Sequence, residues 1–184
     1  MRVAILGGTG RMGTWFARYF KGRGCDVVVW ARTVERLVRV AEEVGVEYDV
    51  EAEGAVRGAD LVVVSVPISA VPEAVRRVSP GVKRGAILFD VASVKGEIPE
   101  VLRVEGDRHG YRAVSVHPMF GPGAKDIMGQ RIVVIPLRGH EEAARWLADY
   151  FKEDGAVVMF SDAETHDRMV ALTLALPHFI NILF

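Results

Sequence analysis

Short unbroken apolar runs alternate along this chain with stretches in which apolar residues recur every three or four positions. Met1 to Leu6 is the first such run and closes on a glycine cluster. Arg11 to Arg23 then carries Met12, Phe16, Tyr19 and Phe20 at helical intervals, which predicts strand, tight turn and helix in succession. Asp26 to Trp30 predicts a second strand, Thr33 an N-cap, and Val34 to Val44 a helix presenting Leu37, Val38, Ala41 and Val44 on one face. Val46 to Tyr48 reads as a short third strand. Leu61 to Val66 is a β-branched run without alternation, which implies burial on both faces, as in a parallel sheet covered by helices. Ser69 to Val78 predicts a helix, Ala86 to Val91 a strand, Glu97 to Val104 a modest helix and Arg112 to Val116 a strand. After Pro118 the pattern loosens into a loop through Gly121-Pro122-Gly123. A strand over Arg131 to Ile135, an amphipathic helix over His140 to Glu153 and a strand over Ala156 to Phe160 follow. Ser161-Asp162-Ala163-Glu164 has the form of a capping box opening the final helix. The steady alternation predicts an α/β fold with a doubly wound, mostly parallel sheet of the Rossmann type.

At 184 residues, half of them apolar, the chain suffices for one domain with a real core and the beginning of a second. Its 23 basic and 24 acidic residues give a formal charge of −1 and are spread throughout, so no patch marks it for nucleic acid or an anionic membrane. Small molecules or another protein are the expected partners. A single cysteine, Cys25, allows no internal disulfide, and no segment has the order of a signal peptide, so the cytoplasm is the expected compartment. The apolar stretch Met169 to Phe184 is shorter than the roughly 20 residues of a membrane span and is broken by Thr173, Pro177, His178 and Asn181. It reads as a buried helix whose apolar end calls for cover by further chain or by a partner.

Chemistry enters first at Gly7-Gly8-Thr9-Gly10-Arg11-Met12-Gly13. Gly8, Gly10 and Gly13 have dinucleotide-fingerprint spacing directly after a strand and at the start of a helix. The first glycine is expected to allow the tight turn, the second to let backbone approach a pyrophosphate, and the third to let helix and strand pack closely, while the helix N-terminus attracts the phosphate charge. Gly8, Thr9, Gly10, Arg11, Met12 and Gly13 are therefore the expected cofactor loop. NAD sites commonly place a carboxylate near the end of the second strand, but here the sequence is Trp30-Ala31-Arg32-Thr33. Arg32 as partner of a 2′-phosphate and Thr33 as hydrogen-bond donor favour NADP over NAD, with Glu35 as an open alternative for a ribose contact. Val66 and Pro67, closing the buried strand, together with Ser69, are placed to line the nicotinamide side, with a proline strand stop and a serine N-cap as the equal alternative for Pro67 and Ser69.

Two later segments carry more information. Asp90-Val91-Ala92-Ser93-Val94-Lys95 and Ser115-Val116-His117-Pro118-Met119-Phe120-Gly121-Pro122 each end a strand on the same carboxyl edge as the glycine loop. Ser93, Lys95 and His117 are thus candidates to meet a substrate beside the nicotinamide, and a histidine before proline is held extended. His109 and His140 read as surface positions, and no cluster has metal-ligand spacing.

DVASVK and HPMFGP, after an N-terminal GGTGRMG and WAR, resemble the prephenate dehydrogenase family, its archaeal members in particular, over nearly the entire chain. The resemblance makes His117 the catalytic histidine and Ser93 and Lys95 active-site residues. It implies oxidative decarboxylation of prephenate, or of arogenate, with hydride passing to the dinucleotide on the way to tyrosine. Ser93 would orient His117 or the nicotinamide amide, and Lys95 would hold a carboxylate or phosphate of a ligand. Residues 1–160 would be the NAD(P)-binding domain and residues 161–184 the start of a helical domain that forms a homodimer and supplies an arginine to the substrate. His166 and His178 would approach the site, with His178, beside Pro177 on an apolar helix, equally read as a packed helix residue. Another NADP oxidoreductase, such as a deazaflavin-dependent reductase, and a non-catalytic dinucleotide sensor are the alternatives.

Overall fold

The computed structural model describes residues 1–175. Eight strands, β1 (Arg2–Leu6), β2 (Asp26–Trp30), β3 (Glu47–Tyr48), β4 (Leu61–Val64), β5 (Ile87–Asp90), β6 (Arg112–Pro118), β7 (Arg131–Pro136) and β8 (Val157–Phe160), form one sheet in the order β3-β2-β1-β4-β5-β6-β7-β8. Every neighbouring pair is parallel except β6 with β7. The helices are α1 (Arg11–Gly22), α2 (Val34–Val44), α3 (Ala52–Val56), α4 (Val71–Val78), α5 (Ile98–His109), α6 (Glu141–Lys152) and α7 (Ala163–Val170), the last running on into a π-type turn, Ala171–Ala175.

The unbroken apolar strands follow from burial on both faces. Val3 and Ile5 of β1, with Leu61 and Val63 of β4, pack against α1, α2 and α6 through Phe16, Phe20, Leu37, Leu147 and Phe151. Ala4, Leu6, Val62 and Val64 face the opposite way and meet Val56, Val75 and Leu102 of α3, α4 and α5. Each large side chain so buried contributes about 1.5–3 kcal/mol relative to exposure. The chain leaves β1 for β2 and β3 on one side and for β4 onward on the other, so the order reverses between β1 and β4. A crevice opens there beyond the carboxyl ends of the strands.

Five sequence expectations need correction. The helix α3 has no periodic signal in its five residues, yet Ala52, Ala55 and Val56 are buried under the sheet. Helix α5 runs five residues past Val104 to His109, through Gly106, which costs helix propensity but packs closely against Tyr111 and Ala113. Strand β6 runs on through His117 and Pro118, because the antiparallel partner β7 pairs them with Val133 and Ile132. The cap of α7 is Asp162, whose carboxylate accepts from the Thr165 backbone N–H at 2.8 Å, in place of a Ser161-to-Glu164 box. His140, expected at the surface, is buried at the N-cap of α6, where its Nδ1 accepts from the Ala113 N–H at 3.3 Å.

Candidate active site

The turn after β1 bends back under the second strand, with the N–H groups of Gly7 and Gly8 both donating to the carbonyl of Trp30, at 2.8 and 3.0 Å. The residue in left-handed backbone is Gly7 (φ 83°), not Gly8. A Cβ on Gly7 would lie 2.3 Å from the Ser65 carbonyl oxygen, one on Gly8 2.6 Å from the Val29 Cβ, and one on Gly13 2.2 Å from the Gly7 oxygen. Gly8 therefore serves close approach to β2 and Gly13 close approach of α1 to the turn, while Gly7 makes the bend. Gly7→Ala combines a left-handed backbone penalty with a backbone clash. It is expected to lower stability by at least about 2–3 kcal/mol, read as a lower urea midpoint at unchanged slope.

Gly10 is the N-cap of α1; no side chain caps this helix and its first turn holds no acidic residue. Its first N–H groups thus suit an anion. A cleft of about 400 Å³ begins here and is bounded by Thr9, Gly10, Arg32, Thr33, Val66 and Pro67. A second lobe, also about 400 Å³, shares Gly10, Val66 and Pro67 and is walled by Arg11, Met12, Ser93 and His117. Gly8 and Gly13 shape the turn from behind, and Lys95 reaches neither lobe. Ser69 lies within a 3₁₀ turn (Ile68–Ala70) ahead of α4, whose N-cap is Ala70; Ile68 and Ala70 reach the crevice, and Ser69 does not.

The first lobe is basic. Arg32, Arg36 and Arg77 face a single carboxylate, Glu73. Arg77 is engaged by Glu53 at 2.7 Å, whereas Arg32 and Arg36 make no ion pair among the described residues. Thr33 stands at the N-cap of α2 without a side-chain capping bond, which leaves its hydroxyl to the cleft. Arg36 escaped the sequence reading, although its place four residues after Arg32 puts both near the start of one helix.

His117 is 5% exposed at the end of β6. Its Nδ1 lies 2.9 Å from Nε2 of His166 on α7, and His166 Nδ1 lies 2.8 Å from Oδ1 of Asp167. Burial first, then the charges of Lys95 and His166, push the His117 imidazolium from its ordinary 6.5 down to about 4, so the ring is neutral at physiological pH. Burial alone would raise the Asp167 carboxyl, but hydrogen bonds from the Gly96 and Lys95 N–H groups, and from His166, hold it below its ordinary range. Ser93 is exposed in the second lobe and makes no hydrogen bond to His117 among the described residues.

Lys95 differs most from expectation. Its side chain turns inward, 1% exposed, with Nζ 2.8 Å from Asp90 Oδ2 and 2.7 Å from the Val116 carbonyl, so it is not presented to a carboxylate of a ligand. Burial pulls its ammonium below the usual range, against the opposing pull of Asp90. Asp90 also accepts from Ser115 Oγ at 2.6 Å and from the Ala92 N–H at 2.8 Å. This knot ties β5, the Ser93 loop and β6 together directly beneath His117. A carboxylate closing an otherwise apolar strand, five residues before a lysine, is the signal that could have revealed it, since a buried carboxylate requires such partners. His178 lies outside the described residues. Among those described, no three His, Cys, Asp or Glu side chains gather as a metal site, and no helix is long and apolar enough to cross a membrane.

A glycine turn delivering a helix N-terminus to the switch point of a doubly wound sheet is the arrangement of a nucleotide-binding domain. Within that class, the chain belongs to the prephenate dehydrogenase family: the family model described as "Prephenate dehydrogenase, nucleotide-binding domain" matches residues 16–160. A probable arogenate/prephenate dehydrogenase of Methanocaldococcus jannaschii is 34% identical over 97% of this chain and 40% of its own length. A cyclohexadienyl dehydrogenase of Zymomonas mobilis is 30% identical over 97% of this chain and 64% of its own. The chain thus spans less than two thirds of the length of either relative. The solved prephenate dehydrogenase of A. aeolicus, in complex with hydroxyphenyl propionate and NAD+, superposes with a TM-score of 0.83 at 23% identity, covering 100% of this chain and 67% of that one.

Proposed function

We propose that the protein is an NAD(P)-dependent prephenate dehydrogenase, acting on prephenate or arogenate and favouring NADP over NAD. The observation that carries this reading is the neutral, buried imidazole of His117 on the wall of a crevice continuous with the glycine-turn cleft. The residues present fit a dinucleotide: the uncapped N-terminus of α1 for its pyrophosphate, Arg32, Arg36 and Thr33 for a 2′-phosphate, and Val66 and Pro67 between the lobes. When bound, the nicotinamide supplies the hydride acceptor. His117 takes the proton of the ring hydroxyl as that oxygen becomes carbonyl-like. As carbon dioxide leaves, its bonding electrons return through the ring to the oxygen, which recovers a proton and leaves a phenol. The Ser93 hydroxyl orients the substrate or the nicotinamide amide, and Lys95 with Asp90 holds the strand that bears His117. Residues 161–184 belong, in this reading, to the start of a helical region that forms a homodimer, with the enzyme working in the cytoplasm.

Two measurements test the proposal. The intact protein is expected to reduce NADP in a prephenate- or arogenate-dependent manner, and absence of turnover with both substrates rejects it. In dinucleotide titrations, Arg32→Ala is expected to weaken NADP binding about 10- to 100-fold, the value of a charged hydrogen bond of about 1.5–3 kcal/mol, and NAD binding less than about threefold. Equal losses remove Arg32 from the 2′-phosphate role.

A further inference from the structure

We propose that His166, oriented by Asp167, is a positioning residue that fixes His117 in the tautomer protonated on Nδ1 and so leaves Nε2 bare toward the crevice. The inference rests on the dehydrogenase reading for its catalytic meaning, but its geometry stands independently. Asp167 receives the N–H of Lys95 at 2.9 Å on Oδ1 and that of Gly96 at 2.9 Å on Oδ2, so it is an acceptor on every side. Facing His166 Nδ1 at 2.8 Å, it requires a proton on that nitrogen. In neutral His166, Nε2 is then an acceptor, and among the described residues the only partner able to donate to it, at 2.9 Å, is Nδ1–H of His117. The second nitrogen of a neutral His117 must be unprotonated, and it makes no hydrogen bond among the described residues.

The order Asp167, His166, His117 has a chemical consequence. When Nε2 takes a proton, the resulting imidazolium keeps its Nδ1–H on His166, and the carboxylate one ring further on offsets the new charge. Both histidines are at least 95% buried, so their rings are held against rotation. The arrangement also makes the base depend on α7, through a contact spanning 49 residues of sequence, because Asp167 clamps the loop that carries Ser93 while it sets the tautomer.

Asp167→Asn tests the order directly. Its carboxamide oxygen can keep the Gly96 and Lys95 N–H groups while its NH₂ turns toward His166, which would reverse both tautomers and place the proton on His117 Nε2. Ring-nitrogen NMR of the intact parent protein is expected to show His117 protonated on Nδ1, and that of Asp167→Asn to show it on Nε2. In steady-state kinetics, Asp167→Asn and His166→Phe are expected to lower kcat at least about tenfold with KM within about twofold, as for a base held in the wrong tautomer. His166→Gln, whose side-chain oxygen reaches the same point, should recover kcat to within about threefold of the parent. A parent spectrum with the proton on Nε2 overturns the proposal, as does an unchanged kcat in a folded His166→Phe variant. If His166→Phe does not fold, the parent and Asp167→Asn spectra decide. If the parent has no dehydrogenase turnover, the proposed function fails while the spectra still settle the tautomer.

Discussion

Replacing His117 by asparagine in the intact enzyme is expected to lower kcat by about 10²–10⁴ while dinucleotide affinity stays within about twofold, because the change removes the proton acceptor and leaves the glycine-turn cleft untouched. A kcat within a few fold of the parent would rule out His117 as the base. The pH profile gives an independent check. The imidazolium is pushed down to about 4, so the base is available throughout the neutral range. The acid limb of kcat/KM should stay flat from about pH 8 to about pH 5 and bend only near pH 4. Stability follows with a definite sign. Between about 4 and 6.5 the folded state binds fewer protons at this ring than the unfolded state. The stability linked to a neutral His117 is therefore complete above about pH 6.5 and is lost as pH falls toward 4. In His117→Asn that part of the pH dependence should disappear, which urea midpoints at pH 4.5 and 7 would register.

Lys95→Met is the substitution expected to cost most in stability. Nζ and Asp90 Oδ2 are 2.8 Å apart with both side chains wholly buried. Removing the ammonium leaves a carboxylate supported, among the described residues, by Ser115 Oγ and the Ala92 N–H alone, neither of them charged. Breaking such a pair from one side costs about 3–5 kcal/mol, and replacing both partners costs far less. Urea denaturation should therefore show a loss in that range for Lys95→Met and recovery of at least about half of it when Asp90→Asn is added. A single-variant loss under about 1 kcal/mol would mean that the pair does not hold β5 and β6 together. Because the same lysine donates to the Val116 carbonyl, one residue before His117, the variant should also lower kcat. A ligand-binding lysine would show itself mainly in KM, and that contrast separates the inward-facing role from the one the family resemblance implies.

Apart from α3, the order of strands and helices was legible in the chain because local periodicity encodes which positions must be buried. The run Leu61 to Val66 marks a strand covered on both faces, and Thr33 marks the start of α2. The placing of Ser93 and His117 on one rim was legible too, since parallel strands put their carboxyl ends on the same edge, with Ser93 just past the end of β5 and His117 close to the end of β6. What local pattern could not supply was direction and partnership. Asp90, five residues before Lys95, hints at a buried partner, but only the fold turns the ammonium inward to meet it, and nothing near His140 says that Ala113 will cover it. Gly7 rather than Gly8 takes the left-handed backbone, at a point where the Ser65 carbonyl just beyond β4 leaves no room for a Cβ. His117 and His166 are 49 residues apart, and only the packing of α7 against the end of β6 brings their rings together. Sequence alone determined most of the elements and the edge on which Ser93 and His117 lie, because those depend on each residue's own apolar or polar character. The tertiary structure decided which charges are buried, which nitrogen carries a proton and which glycine bends the chain, because each of those is set by a neighbour that only folding supplies.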